Sequence, residues 1–349
     1  MREGPAFQER AWPVYLGAPA RAAAAQDSLA ADPQPVWHAS AARGITGGLA
    51  LSEDLVAISG TDHRAVLLDR ATGQPIWDRR LGQALGAGPL IRDDRLFVAE
   101  QGAGGRVYAL RLFNGQTLWS TEAGDVAAPL ALDGPALYLG TIDGMVGRLS
   151  ADTGSFKWRA RLAGAIRSAP IPTAAGLVVA TATDSLYLLD AATGAVRARR
   201  ATHGTVLAAM ARIDSLVVIG TTAGTLEALD PATLRTRWSL EFGEPIVGAV
   251  AIRAGNAYAL TGRGLLIVVP LRDARSARRL PLDLIVRAGP APTAAGVFVS
   301  AVNGELVLFD SAGTRRWAAQ LEAPLVEPVL IDRHMLVAAT RRGAVVAYR

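Results

Sequence analysis

The sequence predicts an all-β fold, an eight-bladed propeller of four-stranded antiparallel blades, on three observations. Tryptophans recur at a fixed period. The same strand-and-turn segment stands ahead of each of them. The last copy of the unit stops one strand short, and the beginning of the repeat region supplies a strand with no partner of its own. The tryptophans fall at Trp37, Trp77, Trp119, Trp158, Trp238 and Trp317, with gaps of 40, 42, 39, 80 and 79 residues. The two long gaps are double periods, and Ala198 and Arg278 stand where the missing tryptophans belong. A period of this length is the mark of a repeat architecture and outranks local propensity in deciding the fold.

Four strand signals fill each period. The first is short and built from small apolar residues, as in Ala165-Ile-Arg-Ser-Ala-Pro-Ile171. The second is an apolar run such as Leu177-Val-Val-Ala180 or Leu216-Val-Val-Ile219. A tight turn follows, often ending in glycine, as at Asp143-Gly144 and Asn303-Gly304. Such pairs accept the positive φ angles of hairpin turns. The third strand reads Ala65-Val-Leu-Leu-Asp69, Ser185-Leu-Tyr-Leu-Leu-Asp190 or Glu305-Leu-Val-Leu-Phe-Asp310, and the fourth carries the tryptophan. The segment Leu265 to Val269, followed by Pro270, is a degenerate copy of the third strand. Four antiparallel strands per period make one propeller blade. The middle strands are apolar on both sides because each blade lies between two others, which blurs simple alternation.

Ring closure follows from the two ends of the repeat. The eighth copy, Ala344-Val-Val-Ala-Tyr348, reaches only its third strand, and Val36-Trp37 is a tryptophan strand with no third strand before it. Pairing the two completes the last blade. The expected division is a leader or linker over residues 1–35 and the propeller over 36–349, with Trp12-Pro-Val-Tyr-Leu-Gly17 docking on the ring through its aromatics. A single closed ring is expected to act as a monomer. The six in-register tryptophans are read as packing between blades and not as a ligand cage, because a large aromatic repeated once per blade staples neighbours together.

Composition narrows the chemistry. Half of the residues are hydrophobic and 19% are charged, enough to fill a core. The chain has no cysteine, which removes disulfides, thiolate metal sites and cysteine nucleophiles. The net charge of +5 is carried almost wholly by arginine, Lys157 being the single lysine, and no aromatic-interleaved basic motif points to nucleic acid. The histidines His38, His63, His203 and His334 lack metal-ligand spacing, and no nucleophile elbow or phosphate-binding loop is found. Residues 1–10 hold no apolar signal core, so for an exported protein the signal lies outside this sequence. The expectation is a binding protein with no catalytic residues, cofactor or metal.

The segments Leu67-Leu-Asp69 to Trp77 and Ala228-Leu-Asp230 to Trp238, the latter with Leu234 in place of the glycine, carry an Asp-x-x-Thr-Gly-x-x-x-Trp pattern. It is similar to the tryptophan-docking motif of the quinoprotein, or PQQ-like, propeller repeat. Two branches of that superfamily compete. One is the quinoprotein alcohol dehydrogenases, which use pyrroloquinoline quinone, calcium and usually a vicinal cysteine pair that this chain lacks. The other, which the whole plan of the chain resembles, is the BamB family of outer-membrane assembly factors. That resemblance implies a non-enzymatic scaffold in the periplasm at the inner face of the outer membrane. It also implies attachment only through a lipid anchor that this sequence does not contain, and a BamA-type protein as partner. The family's Leu/Arg partner-binding pair has its match in Ile166-Arg167, whereas its acidic pair one blade later has none in Thr205-Val-Leu-Ala-Ala209.

Departures from the repeat point to further candidates. The first strands are expected to line the central channel with one small residue each, Ala128 and Ala169 among them, and the eighth copy has Glu327 in that series. Two positions earlier, Val126, Arg167, Leu207, Val247, Arg287 and Val326 form a second series, in which Arg167 and Arg287 stand out as a basic pair at one channel mouth. The candidate partner-binding set is therefore Ile166, Arg167, Arg287 and Glu327. The paired arginines on fourth strands, such as Arg79-Arg80 and Arg315-Arg316, read as rim charges that discourage edge pairing.

Overall fold

The structure is a computed structural model that describes residues 29–349 except 214, 326 and 333. The expected docking of Trp12 to Gly17 lies outside the described residues. Eight four-stranded antiparallel sheets are arranged as blades, the first seven ordered by sequence from the inner to the outer strand. Blades 1 to 7 span residues 45–80, 90–122, 131–161, 171–201, 211–241, 251–281 and 291–320. Blade 8 consists of Leu330–Asp332, Met335–Ala339 and Ala344–Tyr348, with Pro35–Ser40 as its outer strand. Trp37 faces Ala347 and Ser40 faces Ala344 across that last pairing. The only helical element among the described residues is a short 3-10 turn, Ala274–Ser276, between the third and fourth strands of blade 6.

The middle strands are buried on both faces, as in Ala136–Gly140 and Ser185–Leu189. The outer strands alternate between exposed and half-buried positions. Core clusters run across seams between blades and not only within them. One holds Leu137 and Leu149 of blade 3 together with Phe97 and Val107 of blade 2.

The tryptophans are the joints of these seams. The indole Nε1 of Trp37, Trp77, Trp119 and Trp158 donates to the carbonyl oxygens of Arg70, Leu112, Ala151 and Ala191 at 2.8, 2.7, 3.0 and 3.0 Å. Each acceptor lies at the start of the turn between the third and fourth strands of the next blade. The glycine of that turn lies under the ring. A Cβ on Gly73, Gly154 or Gly194 would sit 2.5, 2.4 or 2.5 Å from the indole of Trp37, Trp119 or Trp158. These glycines also hold positive φ values of 72°, 69° and 77°. The turn itself is tied by its aspartate. Asp69 Oδ1 accepts from the Thr72 amide at 2.8 Å and from its hydroxyl at 2.6 Å. Asp190 accepts equivalent bonds from Thr193.

Blade 4 has Ala198 in the tryptophan slot, and the turn it faces has Leu234 in the glycine slot. Leu234 adopts φ 55° and is buried, filling the space an indole takes elsewhere. A polar clasp replaces the missing indole bond: Arg200 donates to the Leu234 carbonyl at 3.0 Å and to the buried carboxylate of Glu227.

The seam between blades 8 and 1 also holds a buried ion pair. The Arg70 guanidinium, 8% exposed, meets the Asp332 carboxylate, 6% exposed, at 2.6 Å. It also donates to the carbonyls of Ser52, Glu53 and Asp332 at 3.0, 3.2 and 2.8 Å. The rim arginines do more than guard edges. Arg79 donates to the Gly115 carbonyl of the next blade, and Arg315 and Arg316 pair with Glu305 and Asp310 of their own blade.

Candidate functional site at the channel mouth

The first strands of successive blades meet around the axis, and their small residues are set by backbone contact. A Cβ on Gly47 would lie 2.5 Å from the Ala87 carbonyl carbon, and one on Gly248 would lie 2.3 Å from the Gly289 nitrogen. The channel encloses a cavity of about 230 Å³ bordered by Arg167, Leu207, Val247, Arg287 and Glu327.

The segment leading into each first strand crosses a seam before it enters the channel. The Ile166 amide donates to Thr141 of the preceding blade at 3.0 Å, and the Ile246 amide does the same to Thr221 at 3.0 Å. The side chain of the pinned residue then packs inward. Ile166 is fully buried over Gly140, where an added Cβ would approach it to 2.3 Å. Of the matched pair, Ile166 is therefore the anchor. Arg167, the next residue, is turned out into the mouth and exposed.

Val286 and Arg287 repeat this arrangement, with Val286 buried and bridged to Ala301 and Arg287 exposed. Among the described residues neither Arg167 nor Arg287 takes a hydrogen bond or ion pair. Both guanidiniums keep their full donor capacity for an incoming acceptor.

The strand register corrects three assignments by one residue each. Ala131 pairs with Tyr138 and Leu330 with Val337, as Leu90 pairs with Phe97 and Ile171 with Val178. Counting back from these pairs, the slot held by Arg167 is occupied in blade 3 by Ala127, and Val126 is the buried anchor before it. The small-residue slot holds Pro129 and Pro328, not Ala128 and Glu327. A proline where the other blades have glycine or alanine concealed the register. Glu327 still borders the cavity and is half-buried.

Two exposed apolar residues were not singled out as candidates, Leu207 on the cavity and Ile285 two positions before Arg287. Leu207 is 45% exposed and Ile285 62% exposed. The signal for Ile285 was available, since the same slot holds Gly44, Asp125, Ala165 and Thr205 in other blades. The mouth thus combines two free guanidiniums with apolar side chains, a surface suited to a protein segment carrying carboxylates beside apolar residues. Among the described residues no group of three or more histidine, aspartate or glutamate side chains is gathered to hold a metal. His63 and His203 are engaged locally, with the Gly82 carbonyl at 3.0 Å and the Thr225 hydroxyl at 3.1 Å.

Comparison with known proteins agrees with this architecture. The family described as outer membrane protein assembly factor BamB matches residues 27–125, 103–197 and 142–284. A protein of that name from Burkholderia pseudomallei strain K96243 is 32% identical over 135 residues, a stretch of 37% of this chain and 34% of that protein. The crystal structure of BamB from Moraxella catarrhalis superposes with a TM-score of 0.77 at 18% identity, covering 91% of this chain and 97% of that one. The quinohemoprotein alcohol dehydrogenase of Comamonas testosteroni shares the fold, with a TM-score of 0.79 at 13% identity over 97% of this chain and 80% of that one. A closed eight-bladed ring, its tryptophan docking turns and a family match over most of its length lead to one assignment: the chain belongs to the family of the outer membrane protein assembly factor BamB.

Proposed function

We propose that this protein is a non-enzymatic scaffold of the bacterial envelope that binds a protein partner at the channel mouth, as a BamB-type outer-membrane assembly factor. The observation that carries the reading is the pair of exposed, unpaired guanidiniums of Arg167 and Arg287 on the channel cavity, with exposed Leu207 on the same cavity, each arginine following a residue pinned to the preceding blade by a backbone bond. Glu327 adds a carboxylate on the same cavity and helps set the partner's register. Ile166 acts from beneath by holding Arg167 in place. The partner is a BamA-type protein presenting its periplasmic domains. The protein works as a monomer in the periplasm at the inner face of the outer membrane.

The test is a binding titration of purified periplasmic domains of the BamA-type protein from the same organism. The Arg167→Ala/Arg287→Ala protein is expected to bind at least about tenfold more weakly, since losing charge-assisted bonds costs at least about 1.4 kcal/mol. Unchanged affinity removes the mouth from the interface. Adding pyrroloquinoline quinone with calcium separates this reading from an oxidoreductase. The absorbance of the quinone is expected to stay that of the free compound, and a saturable spectral change would favour the enzyme.

A further inference from the structure

We propose that the ring yields between blades 4 and 7, and not at the junction of its two chain ends. A propeller closed by non-covalent pairing of its termini has an obvious weak point at that pairing, yet here the junction is fastened as the regular blades are and carries a buried ion pair besides. Five residue pairs zip Pro35–Ser40 onto Ala344–Tyr348. Beyond them Gln34 and Arg349 exchange backbone bonds at 2.7 and 2.9 Å. Trp37 docks fully on blade 1, and the buried Arg70–Asp332 pair spans the same seam.

The opposite arc departs from the docked indole at each step. Between blades 4 and 5 the indole and its glycine are replaced by Ala198 and Leu234, the latter held in the left-handed region. Between blades 5 and 6 Trp238 is present, but its buried Nε1 has no hydrogen-bond partner. The Asp-x-x-Thr-Gly turn that should receive it is replaced by the segment around Ala274–Ser276. The outer strand of blade 6 is four residues long, Arg278–Pro281, against six in every other blade. Between blades 6 and 7 Arg278 occupies the tryptophan slot and donates to the Ser311 carbonyl, keeping the bond without the ring. The first strand of blade 7 is only two residues, Ala291–Pro292.

A buried N–H without an acceptor, a left-handed non-glycine residue and shortened strands each lower the cost of local opening. Together with the missing hydrogen-bonded indole at three successive seams, they make that arc the first to open. It carries the segments that present Leu207, Val247, Ile285 and Arg287, so these side chains can move relative to Arg167 while the rest of the ring stays fixed. The existence of this compliance does not rest on what the mouth binds.

Hydrogen exchange followed by mass spectrometry on the full chain, without any partner, tests it. The paired amides of Thr236–Glu241 and Arg278–Pro281 are expected to exchange about tenfold faster than those of Thr117–Glu122 and Phe156–Arg161, the factor that one missing buried hydrogen bond supplies. Val36–Ser40 should exchange as slowly as the latter pair. Equal protection around the ring, or fastest exchange at Val36–Ser40, overturns the proposal. An Arg70→Ala variant provides a second reading, because loss of the junction's ion pair should raise exchange at Val36–Ser40 and leave Thr236–Glu241 unchanged. A variant that raises exchange equally everywhere would also count against a localised arc.

Discussion

Ala198 and Leu234 form a coupled pair, and exchanging both for the residues of the other blades should cost far less than exchanging either. Ala198→Trp alone drives an indole into the volume that buried Leu234 fills. In the equivalent seam even a Cβ at Gly194 would lie 2.5 Å from the Trp158 ring. Such overpacking costs about 1–3 kcal/mol. Leu234→Gly alone removes a side chain that is 2% exposed. That costs about 2–5 kcal/mol, reduced by the roughly 1–2 kcal/mol recovered when φ 55° passes to glycine. In the double variant the indole finds the glycine shelf it has in blades 3 and 4, and the Arg200 bond to the residue 234 carbonyl is a backbone contact that survives. The double variant is therefore expected within about 1 kcal/mol of the wild type, with a coupling energy of about 2–3 kcal/mol. Urea unfolding of the four proteins measures it. Additivity of the two single changes within about 0.5 kcal/mol would refute the idea that the indole and the glycine are two halves of one contact.

Three further outcomes follow from the same geometry. Arg70→Ala strands the buried Asp332 carboxylate and should destabilise by about 3–5 kcal/mol. Adding Asp332→Ala should recover part of that loss, and a double variant worse than the single one in chemical denaturation would contradict it. Trp158→Ala removes a ring that is 8% exposed and bonded to the Ala191 carbonyl. It should cost about 3–5 kcal/mol, and a melt within error of the wild type would rule out the packing role. Acid should loosen the turns. Hydrogen bonds from Thr72 hold the Asp69 carboxyl below its ordinary range, and those from the Thr193 and Thr314 amides do the same for Asp190 and Asp310. The Arg237 side chain does so for Asp230. Because these folded-state values are depressed, their contribution is complete above the unfolded value of about 3.9 and is lost as pH falls through the lower folded ones. Melting temperatures of the wild type should drop below about pH 4, and a variant with Asn at positions 69, 190 and 310 should show a shallower drop.

The two readings of the mouth differ in what they ask of the chain. A partner-binding surface needs donors left unsatisfied by the protein itself, and Arg167 and Arg287 meet that requirement where Arg79, Arg278, Arg315 and Arg316 of the outer strands are spent on a carbonyl or a carboxylate. Sequence alone gave no means of telling a spent arginine from a free one. Arg278 and Arg287 are both departures from the repeat, but the first replaces an indole bond and the second faces the channel.

What the sequence determined by itself was the part that depends on period. Blade number, strand order within a blade, the closing of the ring by the Trp37 strand and the packing role of the tryptophans all follow from spacing, because a repeat reports the same contact many times over. The tertiary structure decided whatever depends on contacts between unlike residues. It assigned Leu234 the volume vacated at Ala198, joined Arg70 to Asp332 across 262 positions, and turned Ile166 inward and Arg167 outward. It also moved the channel slot of blade 3 from Val126 to Ala127, because strand pairing and not residue size fixes register. The physical reason is locality: a turn or an alternation is encoded within a few residues, whereas the seam a side chain enters is set by which blade the ring brings against it.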